Sequence, residues 1–184
     1  MKHYLCIVLL LFVITPLRAQ FFLTPSGFTV DDGKDYYVLT TPEKNQQELF
    51  DAVYAWAGRS FVSPQDVISS TPNASQITIN GIVIGLTKMP KRAIKVPVDV
   101  NFTWIIQFKE GRIRFNAPII NSMEADGRIP QSLHLVRPSA ITDGIFKRDG
   151  ALVDEFSKNQ LEQFFNGVIK EIEDSIQNRV EDDW

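Results

Sequence analysis

The longest regular pattern in the chain runs from Val96 to Phe108, where Val96, Val98, Val100, Phe102, Trp104, Ile106 and Phe108 occupy every second position. Alternation of that kind gives a β-strand one wholly apolar face. The opposite face carries Pro97, Asp99, Asn101, Thr103 and Gln107, with Ile105 the exception, so it meets water or a polar partner. Glu110-Gly111 supplies a turn. The returning strand repeats the pattern, with Ile113, Phe115, Ala117 and Ile119 on the apolar side and Arg112, Arg114 and Asn116 on the other. Such a sheet needs cover on one face only.

Two helices can provide that cover. Asn45 is an N-cap with Glu48 as its capping-box partner, and Leu49, Val53, Trp56 and Phe61 return on one side before Gly58 and Pro64 close the segment. Near the end of the chain, Ser157 and Gln160 read as a second capping box. Leu161, Phe165, Val168, Ile172 and Ile176 follow at three- and four-residue steps, widened by Phe164 and Ile169. Ahead of the first helix, Tyr36 to Thr41 predicts a strand stopped by Pro42. After it, Val67 and Ile68, the turn Pro72-Asn73-Ala74, and Ile77 with Ile79 predict a hairpin. Beyond Gly81 the apolar positions move to Ile82, Ile84 and Leu86, a change of parity that predicts a β-bulge at Gly81. The stretch from Thr87 to Lys95, with Lys88, Lys91, Arg92 and Lys95, reads as a solvated loop.

The order is therefore strand, helix, four antiparallel strands, helix: an α+β fold, β-α-β(4)-α, with both helices on the single apolar face of the sheet. Residues 35–184 form one domain. Residues 121–152, punctuated by Gly127, Pro130, Pro138, Gly144 and Gly150, read as an irregular insertion, and unstructured segments of that length are often functional. Residues 20–34, with Pro25, Gly27, Asp31, Asp32 and Gly33, read as an extended and partly mobile N-terminal arm.

The beginning of the chain changes where this domain is expected to fold. Lys2 precedes an apolar run from Tyr4 to Ile14, Pro16 ends it, and Leu17 and Ala19 fit the positions before a signal-peptidase cut. Residues 1–19 are read as a cleavable secretory signal peptide. The run is shorter than the roughly 20 apolar residues of a spanning helix, so no transmembrane anchor is expected after cleavage. Loss of Lys2 and Arg18 takes the formal charge from −3 to −5, and the only cysteine, Cys6, leaves with the leader. The remainder has no thiol for a disulfide or a Cys-ligated metal, and its stability rests on its core. An acidic balance without a Lys/Arg stripe also argues against nucleic acid.

Little catalytic chemistry is visible. Ser132, Ser139 and Asp143 lie near His134, but no nucleophile-elbow glycine pattern surrounds either serine. Asp31 with Asp32, and Glu181 with Asp182 and Asp183, read as solvated charge. Once residues 1–19 are removed, one histidine and no cysteine leave no zinc or iron site, and no phosphate loop is present, so no cofactor is expected.

Several residues together resemble a known family. The acidic helix start Glu48-Leu49-Phe50-Asp51 followed by Ala55-Trp56, the strand through Trp104 to Phe108, the turn Lys109-Glu110-Gly111-Arg112, and the leader are similar to the exported Bacteroidetes domain of unknown function assigned a TBP-like fold. The resemblance spans roughly residues 35–121, and the segment after Asn121 departs from the short connection expected there. It implies a curved antiparallel sheet of TBP-like or helix-grip type and an exported location, periplasmic or secreted. It brings no chemistry with it, because a shared fold confers no DNA binding.

The expected function is a non-enzymatic binding module of the cell envelope. Asn101, Thr103, Gln107, Arg112 and Arg114 on the polar sheet face, or a hollow beneath residues 121–152, would hold an envelope protein, a glycan or an apolar small molecule. The alternative is a hydrolase of unusual design using His134.

Overall fold

In the computed structural model the described residues are 21–91, 94–125 and 131–178. The expected leader, Arg92 of the basic stretch, Gly127 and Pro130, and Glu181, Asp182 and Asp183 lie outside them.

The alternating segment forms the central strand of a large antiparallel sheet. It pairs along one edge with the strand that carries Ile77 and Ile79. Its other edge is shared end to end by two shorter strands. In chain order the elements are a hairpin, β1 (Phe22–Thr24) and β2 (Gly27–Thr29); β3 (Tyr36–Thr40); α1 (Gln46–Ser60); a short helical turn, α2 (Pro64–Val67); and β4 (Ile68–Ser70). Then come β5 (Gln76–Lys91), β6 (Ile94–Lys109), β7 (Arg112–Asn116), β8 (Ile119–Ala125), β9 (Gln131–Ser132), β10 (His134–Val136), β11 (Gly144–Phe146) and α3 (Glu155–Asn178). The sheet order is β3-β7-β6-β5-β4, with β8 also on β6 and β9 on β8. This is the expected α+β arrangement, with both helices on the apolar face.

Burial follows the alternation. Val98, Val100, Phe102, Trp104, Ile106 and Phe108 are all buried, as are Ile113 and Phe115 on β7. Phe165 of α3 sits at the centre, edge-on to Phe102 at 5.2 Å, Trp104 at 5.4 Å, Phe164 at 5.0 Å and Phe28 at 5.1 Å. Each such pair adds about 0.5–1.5 kcal/mol beyond simple burial. The Trp104 indole N–H donates to the Asn116 carbonyl at 2.7 Å, so the one polar atom on that ring is satisfied. α1 begins as expected, with the Asn45 side chain accepting from the Glu48 N–H and the Glu48 carboxylate accepting from the Asn45 N–H. The Trp56 N–H donates to Glu171 at 3.0 Å and ties the two helices together.

Six local expectations are corrected. The stretch read as an extended arm is the β1–β2 hairpin. Phe21, Leu23, Phe28 and Val30 are buried, and the Asn166 side chain both accepts from the Phe21 N–H at 2.8 Å and donates to its carbonyl at 3.0 Å. The glycine and proline positions were visible in sequence, but the distant helix that receives the apolar residues was not. The bulge predicted at Gly81 lies instead between Val83 and Thr87, around Gly85, which has φ +64° and donates its N–H to Asp99 at 2.8 Å. Gly81 pairs in regular register with Phe102. The parity change arises because Ile82 and Ile84 point outward, 58% and 76% exposed.

The expected loop from Thr87 to Lys95 is the continuation of the β5–β6 ladder, through Thr87↔Val98, Met89↔Val96 and Lys91↔Ile94. The cap of α3 is Asp154 rather than Ser157, its carboxylate accepting from the Ser157 N–H at 3.0 Å. Ser157 is buried, accepting from the Thr87 hydroxyl at 2.8 Å and donating to Asp154 at 2.6 Å. Ile119 is 57% exposed, not inward, because the returning strand breaks after Asn116 and restarts as β8 with a register shift between Asn101 and Phe102. Finally, the irregular insertion 121–152 contains the end of β8, β9 and a parallel pair, β10 and β11, that buries Leu133, Ile145 and Phe146.

Candidate functional site

Because the helices and the hairpin cover one face, the opposite face of the sheet is left open, and strand register decides which side chains meet there. Val38, Arg114, Gln107 and Gln76 stand side by side on β3, β7, β6 and β5. Next to them, Thr40, Arg112 and Lys109 form a second row across three strands. With Tyr36 and Ser75, all of these except Thr40 line an open hollow of about 530 Å³. The Arg114 guanidinium lies 4.0 Å from the centre of the Tyr36 ring, a cation–π contact. Gln107 donates to the Gln76 side chain at 3.4 Å.

The five side chains singled out in the sequence share this face but fall into two groups. Gln107, Arg112 and Arg114 line the hollow. Asn101 and Thr103 sit farther along β6 in a tight polar array, where Asn121 donates to Asn101 at 3.2 Å and to Thr103 at 3.0 Å, and Thr103 donates to Asn80 at 2.9 Å. Their polar atoms already serve one another. Tyr36, Ser75, Gln76 and Lys109 join the hollow without having been singled out. Lys109 carried a readable signal, since it closes the Glu110-Gly111 turn opposite Arg112. The register of β3 and β5, which brings in the others, is not local.

The region around His134 is built differently. Its backbone N–H donates to the Asp143 carbonyl at 3.1 Å as part of the β10–β11 pairing, and Ser139 is engaged with Thr142. Among the described residues, no hydrogen bond joins the His134 imidazole to Ser132, Ser139 or Asp143. Within the segment read as an insertion, Leu133 and Asp143 help line a smaller hollow of about 200 Å³ together with Lys88, Lys95 and Asp154. A more apolar one of about 460 Å³ sits between α1, α3 and β5, lined by Trp56, Phe61, Ile82, Ile84 and Phe164. Among the described residues, no three His, Cys, Asp or Glu side chains are grouped to hold a metal ion, and no helix is long and apolar enough to cross a membrane.

No protein-family model matches the sequence, and neither does any curated protein. Among solved structures, a TBP-like protein from Parabacteroides distasonis matches with a TM-score of 0.53 at 16% identity, over 78% of this chain and 91% of that one. The fold is TBP-like. This bears out the expected curved antiparallel sheet with helices on one face. A DUF4468 family protein from Bacteroides ovatus also matches, with a TM-score of 0.48 at 11% identity, over 77% of this chain and 84% of that one. Neither of these proteins bears the name of an enzyme.

Proposed function

We propose that this protein is a non-enzymatic binding module of the cell envelope, and that it engages its partner through the open face of the sheet around Gln107, Arg112 and Arg114. One observation carries the reading: an open hollow of about 530 Å³ in which cationic, amide and aromatic side chains are held in register by four paired strands. The paired strands fix where these side chains start, so binding requires no ordering of the backbone. The leader sequence supports export, and the acidic balance of the remaining chain supports a partner other than nucleic acid.

Hydroxyl-radical footprinting with solubilised envelope from the host tests this. Labelling of Tyr36 and Val38 is expected to fall while Ile141, exposed on a distant turn, is unchanged. Protection confined to residues 131–146, or none anywhere, would contradict the assignment.

A further inference from the structure

We infer that the hollow on the open sheet face binds an acidic sugar, with Lys109, Arg112 and Arg114 taking the carboxylate or sulfate and the neighbouring glutamines the hydroxyls. This rests on the binding-module reading. Lys109 and Arg112 stand directly opposite one another on β6 and β7, an arrangement in which like charges repel. Arg114, two residues along β7, faces the same way.

The residues beside them on β3, Thr40 and Val38, bring no negative charge. Glu110, in the turn between the two strands, accepts instead from the Gln46 N–H at 3.4 Å, at the start of α1. Among the described residues, none of the three cations has a carboxylate partner. Paired backbones keep them together, so their mutual repulsion is relieved by an anion from outside the chain.

The chemistry of the site narrows the anion. The Arg114 guanidinium rests 4.0 Å from the centre of the Tyr36 ring, and a guanidinium suits two-pronged binding of carboxylate or sulfate oxygens. Gln107 donates to Gln76 and Gln76 to Thr78, and each amide keeps a further N–H and a further lone pair, as sugar hydroxyls require. At about 530 Å³ the hollow is of the size that holds a small organic ligand rather than a bare ion. A peptide gains affinity by adding to a strand edge, and the outer edge of β3 borders the hollow, but the cations and amides stand on the face of the sheet rather than along that edge.

The test is titration of the ¹⁵N-labelled protein, followed by amide chemical shifts, with glucuronic acid, galacturonic acid and glucose 6-sulfate. Neutral glucose and galactose, and a hexaglutamate peptide, run alongside. The acidic sugars are expected to shift β3 and β7 amides saturably. The neutral sugars bind about tenfold more weakly or worse, and Arg112→Gln, at an exposed residue, loses a similar factor. Carboxylate against sulfate preference reads out which oxyanion fits. Equal shifts from the neutral sugars, or an undiminished response in Arg112→Gln, overturn the acidic-sugar assignment and leave the sheet face as a binding surface. Tighter binding of the peptide replaces the sugar with an acidic protein. If no ligand moves these amides and host envelope extract gives no protection there, both readings fail.

Discussion

Replacing Gly81 by alanine asks whether that glycine is required by backbone shape or by a neighbour. A Cβ built there lies 2.6 Å from Phe102 Cζ and 2.8 Å from its Cε1, closer than nonbonded carbons tolerate. The Phe102 ring is 1% exposed and wedged edge-on against Phe164 and Phe165, so it has no room to swing away. Overpacking costs about 1–3 kcal/mol, and contacts this short against a ring held in place belong to the upper part of that range, about 2–3 kcal/mol. Alanine's lower chain entropy offsets about 0.5–1 kcal/mol of that.

The net loss is about 1–2 kcal/mol, or a fall of about 2–8 °C in Tm for a chain of this size, measured by circular dichroism. Gly58→Ala, on α1 with nothing near its Cβ, is the control and gains up to about 1 kcal/mol. Phe102→Leu opens space and costs stability alone, but in that background Gly81→Ala becomes close to neutral, a coupling of about 1 kcal/mol or more. A neutral Gly81→Ala in the unaltered protein, or a penalty that persists undiminished in the Phe102→Leu background, would refute the steric account.

Three further outcomes are expected. Asn166→Ala removes both hydrogen bonds to Phe21 and destabilises by about 1–3 kcal/mol, with hydrogen exchange rising in residues 22–30 while β6 stays protected. Ser157→Ala strands the buried Thr87 hydroxyl and costs about 1–3 kcal/mol in urea unfolding, part of which the added Thr87→Val change recovers. The Asp32 carboxyl, held below its ordinary value chiefly by a side-chain hydrogen bond from Lys34, titrates low by carbon chemical shift and moves up in Lys34→Ala. Its contribution is present above the unfolded-state value and fades as the pH falls through the folded one.

Where burial is decided by local periodicity, the chain is readable from its sequence. The face of β6, the stripe on α3 and the Asn45 cap all follow from spacing alone. Features that depend on distant partners are not. Ile82 and Ile84 suggested a shifted strand because sequence cannot show that an isoleucine in a strand stays largely exposed. Phe21 and Leu23 find their partners on a helix 145 and 139 residues farther along the chain. Ser157 resembles an N-cap in type and spacing, yet Asp154 occupies that role, because Thr87 reaches Ser157 from another strand. The candidate site was half legible: alternation put Gln107, Arg112 and Arg114 on the polar face, whereas Tyr36 and Gln76 arrive through the register of β3 and β5.

The central claim is that the open sheet face carries a ligand, and the most direct measurement is a native mass spectrum of the protein purified gently from its host. It is compared with an Arg112→Gln/Arg114→Gln variant purified the same way. The account predicts an added mass on the unaltered protein that is lost on denaturation and absent from the variant. The same added mass on both proteins would place the ligand elsewhere and contradict it.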